Sequence, residues 1–315
     1  MTKFLIIRFS SIGDIVLTTP VIRCLKQQYP DAEVHYVTKK SYQSLLENNP
    51  YIDKVFTLEK SLNKLLTQLK SERYDYIIDL HNNLRTTILK LRLGVKSFSF
   101  DKLNFQKWIL VKFKKDIMPN VHIVDRYMKT VASFGVVNDN KGLDYFIPQQ
   151  DVISLDWLPK NFRSGYAVYA IGGQHETKKL PLHKMIELCK TIQLPLVLIG
   201  GKEDSIISEQ LLVISKNSQK DFPLIFDTCG KMNLNQSASI IQKSSIVYTH
   251  DTGMMHVATA LKKRVVSIWG NTIPAFGMYP YQTEYKVIEN KELNCRPCSK
   301  IGFEKCPLGH FKCMN

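Results

Sequence analysis

Phe4-Leu5-Ile6-Ile7-Arg8-Phe9-Ser10-Ser11-Ile12-Gly13-Asp14 opens the chain with an apolar run of strand length that passes directly into a turn of small residues. Phe4–Phe9 is apolar on both alternating faces apart from Arg8, the pattern of a strand covered on two sides rather than one. The turn Ser10–Asp14 leads into a helical segment reaching about Gln28, with Ile15, Val21, Ile22 and Leu25 at helical spacing. Pro20 leaves its start open. The helix begins near Asp14 and kinks, or Thr19 caps it with Pro20 in the first position.

The same alternation continues outward. Strands are expected at Glu33–Val37, Lys54–Thr57, Asp75–Leu80 and Lys96–Phe100, with helices at Tyr42–Glu47, Leu62–Ser71 and Leu84–Leu93 between them. Strand and helix in strict turn specify a parallel sheet with helices on both faces. Pro148 to Gly165 is irregular and reads as a linker. The pattern then restarts. Tyr166–Ile171 ends in Gly172-Gly173, Leu194–Ile199 in Gly200-Gly201, Ile246–His250 in Asp251-Thr252-Gly253, and Val265–Trp269 in Gly270-Asn271. The expected architecture is α/β: two doubly wound domains in tandem, residues 1–155 and 156–315, with a cleft between them.

Composition agrees with a globular reading. The 315 residues suffice for about two domains of roughly 150. Apolar residues at 44% and charged ones at 23% exclude disordered and fibrous classes. No apolar stretch is long enough for a membrane span, and Arg8 and Asp14 break the N-terminal run that would otherwise resemble a signal peptide. A soluble cytosolic protein is expected. The formal net charge of +15 points to a polyanionic neighbour: nucleic acid, an anionic membrane surface or a phosphorylated substrate. Lys60 to Lys115 holds 13 basic residues against 4 acidic ones, with Phe98, Phe100, Phe105, Trp108 and Phe113 among them. Basic residues interleaved with aromatics suit a membrane interface or a nucleic-acid strand; solvated helix faces beside ordinary core aromatics give the same pattern.

Ligands of open α/β sheets bind outside the carboxyl ends of strands, which selects a few loops. In the first, Asp14 fits a general base for a hydroxyl, or equally a carboxylate at a helix N-terminus. With a single glycine in this turn, no dinucleotide fingerprint is present. In Asp251-Thr252-Gly253-Met254-Met255-His256, Gly253 permits close backbone approach, and the following helix offers amides to a phosphate. His256 is a ligand-facing or a satisfied buried histidine. Gly172-Gly173 with Lys178-Lys179 suits a diphosphate cradle or a solvated basic loop. In Gly200-Gly201-Lys202-Glu203, Glu203 suits ribose hydroxyls. The spacing Cys295-x2-Cys298-x7-Cys306-x6-Cys313 is compatible with a structural zinc site or with free thiols, and His310 offers an alternative ligand. Cys24, Cys189 and Cys229 read as small core residues.

Taken together, these motifs resemble glycosyltransferase family 9, the heptosyltransferases of lipopolysaccharide core synthesis. The resemblance is carried by Ser10–Asp14, by Asp79-Leu80-His81-Asn82-Asn83-Leu84-Arg85, by Lys178-x-x-Pro181, by Gly200-Gly201 with Glu203, by Asp251-Thr252-Gly253-x-x-His256, and by the tail Cys306-Pro-Leu-Gly-His-x-x-Cys313. It spans essentially the whole chain in order.

The resemblance implies a GT-B fold, in which an N-terminal Rossmann-like domain binds a lipid-linked sugar acceptor and a C-terminal one binds ADP-heptose. Asp14 stands at the family's proposed catalytic base, and Lys178 at the lysine that contacts donor phosphate. The acceptor would meet Ser11, Gly13, Asn83 and Arg85. The donor would meet Gly173, Lys178, Glu203, Asp251, Thr252, Gly253 and His256. Catalysis would be inverting and would need no metal or other cofactor. The partners would be the nucleotide sugar and an anionic glycolipid at the cytoplasmic face of the inner membrane, with no nucleic acid. One departure is Leu180, where family members commonly carry tryptophan. A nucleotide-sugar epimerase of the same fold and a non-catalytic basic protein binding membranes or polyanions are the competing readings.

Overall fold

The computed structural model describes residues 1–218 and 221–315, which form two compact units. The first contains β1 (Thr2–Ile7), α1 (Ile12–Val16), α2 (Thr19–Gln28), β2 (Ala32–Lys39), β3 (Lys54–Leu58), α3 (Leu62–Glu72), β4 (Tyr76–Asp79), α4 (Leu84–Leu93) and β5 (Lys96–Ser99). Its sheet is wholly parallel in the order β3-β2-β1-β4-β5. β1 is central, with Leu5 opposite His35 on one side and Ile77 on the other. Phe4, Leu5, Ile6 and Ile7 are consequently all fully buried, each contributing about 1.5–3 kcal/mol. Leu65 and Leu69 of α3 and Leu89 of α4 cover the face that holds Leu5 and Ile7.

The helix expected from Asp14 to Gln28 is two helices. The Thr18 and Thr19 hydroxyls donate to the Ile15 and Val16 carbonyls (2.7 and 2.8 Å) at the break. Thr18 immediately precedes α2 and Pro20 falls in its first turn, where a missing N–H leaves no helix bond unmade. The expected helix at Tyr42–Glu47 is a 3-10 segment, Lys40–Leu45. α4 starts where Asn83 caps it, its Oδ1 accepting from the Thr86 amide at 3.0 Å.

The chain then leaves the first unit. α5 (Asn104–Phe113), within residues 104–120, packs with the second unit, and α6 (Ile123–Met128) returns to the first. Arg23 of α2 holds the returning chain: its Nε and Nη2 donate to Asp139 at 2.8 Å each, and Nη1 pairs with Asp144. The excursion of 104–120 departs from the domain span 1–155 expected above. Its cause is a clamp distant in sequence, in which the Lys114 ammonium donates to the carbonyls of Cys295 (3.0 Å) and Pro297 (2.6 Å).

The second unit holds β6 (Ala167–Ala170), α7 (Leu182–Lys190), β7 (Leu196–Ile199), α8 (Ser205–Asn217), β8 (Ile225–Asp227), α9 (Leu234–Lys243), β9 (Ile246–His250), α10 (Gly253–Ala260), β10 (Arg264–Trp269) and β11 (Tyr285–Glu289). Its parallel sheet runs β11-β10-β9-β6-β7-β8. Both sheets thus follow the Rossmann order, with the first strand of each unit beside the fourth. Among the described residues, no helix is long and apolar enough to cross a membrane.

Candidate active site

A doubly wound sheet opens a crevice where consecutive strands diverge to either side of a central one, and ligands bind there, past the carboxyl ends of the strands. In the first unit that point lies between β1 and β4. Arg8, which the sequence offers only as an interruption of an apolar run, organises it. The Arg8 guanidinium is buried and donates to the Ser10 carbonyl (2.8 Å), the Leu80 carbonyl (2.6 Å) and the Tyr127 hydroxyl (3.0 Å). It thereby ties the loop after β1 to the loop after β4. Its Nη2 pairs with Asp14 Oδ1 at 2.6 Å.

The second Asp14 oxygen accepts from the Ser11 amide (3.1 Å) and hydroxyl (2.9 Å). Asp14 is therefore a helix N-terminal carboxylate, one of its two expected roles. This does not exhaust it, because a carboxylate accepts about four hydrogen bonds and this side chain keeps 20% exposure. Burial works against its charged form, but the Arg8 charge and the two Ser11 donors outweigh burial and hold the carboxyl below its ordinary range. Gly13 is buried inside α1 and Ser11 is exposed at its start.

His81 joins this cluster. Its ring meets Phe9 edge-on (centroids 5.2 Å apart), and its Nδ1 is buried with no hydrogen-bond partner among the described residues. Burial, then the Arg8 charge, depresses its pKa to about 4, so the imidazole is neutral near pH 7. Asn83 spends its side-chain oxygen on capping α4, whereas Arg85 is exposed on the first turn of that helix.

The corresponding point in the second unit lies between β6 and β9. Lys178, on a 3-10 turn at Glu176–Lys178, pairs through Nζ with Asp251 Oδ2 at 2.6 Å and donates to the Asp251 carbonyl at 3.0 Å. Thr272, in the loop after β10, donates to the same carboxylate oxygen at 2.7 Å. The Asp251 charge is thus engaged by the Lys178 ammonium and the Thr272 hydroxyl together. Thr252 immediately precedes α10 in extended conformation, and its Oγ1 is buried with no hydrogen-bond partner among the described residues. A Cβ added to Gly173 would stand 3.2 Å from both Lys179 Cγ and Thr252 Cγ2; this glycine lets the two loops converge. His256 is buried in the first turns of α10. Glu203 is exposed on the 3-10 turn after β7.

Asp204 and Thr272 were not singled out by motif. Asp204 is buried, accepts from the Gly201 amide at 2.9 Å, and lies 2.4 Å from where a Cβ on Gly172 would sit. Gly172→Ala is expected to cost about 1–3 kcal/mol through overpacking, read as a melting temperature several degrees lower with the parallel-sheet circular dichroism unchanged. Leu180, at the family's tryptophan position, packs against the second unit's core and donates its amide to His250 Nε2 at 3.1 Å.

His250 also carries a pH prediction. Burial drives its pKa down to about 3. The unfolded chain, with an ordinary value near ~6.5, takes up that proton first, so stability is full above that value and is lost as pH falls toward the folded one. Between pH 6 and 4 stability should fall by about 1.4 kcal/mol per unit for this group, measured as the urea midpoint, with the slope reduced in His250→Asn.

The four tail cysteines are free and half-buried. Among the described residues, the one group drawn together closely enough to hold an ion is Glu33, His35 and Glu72, and the cysteines do not form such a cluster. The four thiols nevertheless lie near one another: burial, with the neighbouring Cys298, Cys306 and Cys295, pushes the Cys313 thiol up to about 11. The backbone of Cys295 is engaged by Lys114, and the Cys298 thiol donates to the Cys295 carbonyl at 3.1 Å. The Glu33–His35–Glu72 group is itself filled by Lys3, whose ammonium lies 3.2 Å from each glutamate.

Comparison with known proteins agrees with this architecture. A sequence model of glycosyltransferase family 9 (heptosyltransferase) matches residues 62–308. The chain belongs to this family. This glycosyltransferase is 25% identical over 301 residues to lipopolysaccharide heptosyltransferase 1 of Campylobacter coli, covering 86% of the chain and 84% of that relative. Its fold matches a family 9 glycosyltransferase from Veillonella parvula with a TM-score of 0.73 at 21% identity, over 92% of this chain and 86% of that one. It also matches the E. coli heptosyltransferase WaaC with ADP, with a TM-score of 0.67 at 21% identity over 91% and 93%. The glycosyltransferase therefore has the GT-B fold, two Rossmann-like domains in one chain, as its motifs imply.

Proposed function

We propose that the protein transfers heptose from ADP-heptose to the lipopolysaccharide inner core, with inversion at the anomeric carbon. The observation that carries this reading is the second switch point, where the Lys178 ammonium is held by Asp251 beside the N-terminus of α10 and the Thr252 hydroxyl, which has no partner among the described residues. An ammonium, a hydroxyl donor and helix amides suit a diphosphate leaving group. ADP, the nucleotide in the E. coli WaaC structure, supplies one.

In the proposed reaction Asp14 accepts the proton of an acceptor hydroxyl as its oxygen attacks the anomeric carbon. The bond to the diphosphate oxygen breaks as the new bond forms, and Lys178 and the α10 amides take up the charge that develops on ADP. Ser11, Gly13 and Arg85 contribute the acceptor side; Gly173, Glu203 and Gly253 contribute the donor side. Since the base and the electrophilic stabiliser are side chains, turnover is expected to be unchanged by EDTA. A lipid-linked acceptor places the protein as a peripheral component at the cytoplasmic face of the inner membrane.

Calorimetry with ADP-, GDP- and UDP-sugars tests the donor: tight binding confined to ADP-sugars is expected, and preference for either of the others overturns the assignment. Incubating ADP-heptose without acceptor separates transfer from epimerisation, since only an epimerase converts the sugar under those conditions.

A further inference from the structure

α5 presents an unusual face. Phe105, Trp108 and Phe113 are 65%, 54% and 61% exposed, while Leu110 alone is buried. The three rings touch in sequence, Phe105 stacked on Trp108 with centroids 6.3 Å apart and Trp108 edge-on to Phe113 at 5.3 Å, making one continuous aromatic ridge. A groove of about 250 Å³ separates the ridge from the C-terminal tail, with Trp108 and Phe303 in its walls and Lys107 and Lys300 beside them. The tail also exposes Ile301 (55%) and Leu308 (61%). Residues 104–120 carry four lysines against one aspartate, and residues 299–313 carry three lysines against one glutamate.

We infer that this face of the second unit is a docking surface for an anionic phospholipid bilayer. The mixture of residues decides the partner. The cores of protein–protein interfaces are depleted in lysine, whereas aromatics beside lysines are what a lipid interface selects: rings settle at headgroup depth while ammonium groups meet phosphates. Charge complementarity therefore favours anionic lipid over a second protein. Lys114 is excluded from the charged set, because its ammonium is spent clamping α5 to the carbonyls of Cys295 and Pro297. Docking would serve the membrane-bound acceptor proposed above and rests on that reading only for its purpose; vesicles without glycolipid test the surface separately from transfer.

The test is co-sedimentation of the full chain with phosphatidylcholine vesicles, with and without phosphatidylglycerol. Salt-sensitive binding is expected only when phosphatidylglycerol is present, with Trp108 emission shifting to the blue. Reversing charge at exposed lysines (Lys112→Glu, Lys115→Glu and Lys305→Glu together) should weaken partitioning about a hundredfold. Replacing Phe105, Trp108 and Phe113 by Ala should weaken it at least about tenfold, both at unchanged melting temperature. A control set matched in net charge, Lys64→Glu, Lys70→Glu and Arg73→Glu, leaves binding close to wild type if the surface is placed correctly. Equal loss in the control, equal binding to neutral vesicles, or a stable dimer that protects Trp108 and does not bind vesicles would each overturn the inference.

Discussion

Turnover by Asp14→Asn is expected to fall about 10²–10⁴-fold, the usual worth of a general base, while affinity for the ADP-sugar stays within about twofold. Asparagine retains the shape and the Ser11 contacts but has no basic oxygen. The geometry adds two further expectations. First, Arg8 would lose its charged partner and keep only neutral acceptors at Ser10, Leu80 and Tyr127. Fully buried pairs cost about 3–5 kcal/mol when broken; with 20% exposure at Asp14, about 2 kcal/mol is expected here, measured by urea unfolding. Second, the wild-type carboxyl is held below its ordinary range. It is ionised down to lower pH than a free aspartate, so kcat/KM should show no acid limb attributable to Asp14 above pH ~4. Turnover of Asp14→Asn above about a tenth of wild type would remove Asp14 from the role of base.

Lys178→Met should lower kcat by about 10²–10³, the range for removing one preorganised electrostatic donor from a charge-developing centre, and should weaken ADP binding as well. Part of the effect comes from what is left behind. Asp251 would keep its Thr272 hydrogen bond but lose the ammonium 2.6 Å away, leaving a nearly buried carboxylate next to the diphosphate. The double variant Lys178→Met/Asp251→Asn should therefore bind ADP better than Lys178→Met alone, a non-additivity that a calorimetric double-mutant cycle measures directly. Strict additivity would mean that Asp251 does not position the lysine.

The +15 charge takes on a different meaning once the fold is known. The basic stretch Lys60–Lys115 is not one surface: Lys107, Lys112, Lys114 and Lys115 lie on a segment that packs with the second unit. Lys90 is turned inward to the buried Asp79 at 2.8 Å, and Lys114 is a structural clamp. The exposed basic residues of this stretch are divided between the two units rather than gathered on one.

Sequence alone determined the two parallel sheets, their central strands and the loops at which ligands would bind. Strands covered on both faces, such as β7 and the Phe4–Ile7 part of β1, write themselves as unbroken apolar runs, and Asn83 marks the start of α4 through local capping chemistry. It could not reveal the edge strands β8 and β11; β8 has three residues and β11 is largely exposed, so neither carries such a run. Tertiary structure alone decided the pairings. Arg8 reaches Leu80 across 72 residues, Thr272 reaches Asp251 across 21, and Lys114 reaches Cys295 across 181. Periodicity reports which side of an element is buried, not which distant group it meets. For that reason the partners of Asp14 and Lys178 and the true home of α5 emerge only from the folded chain.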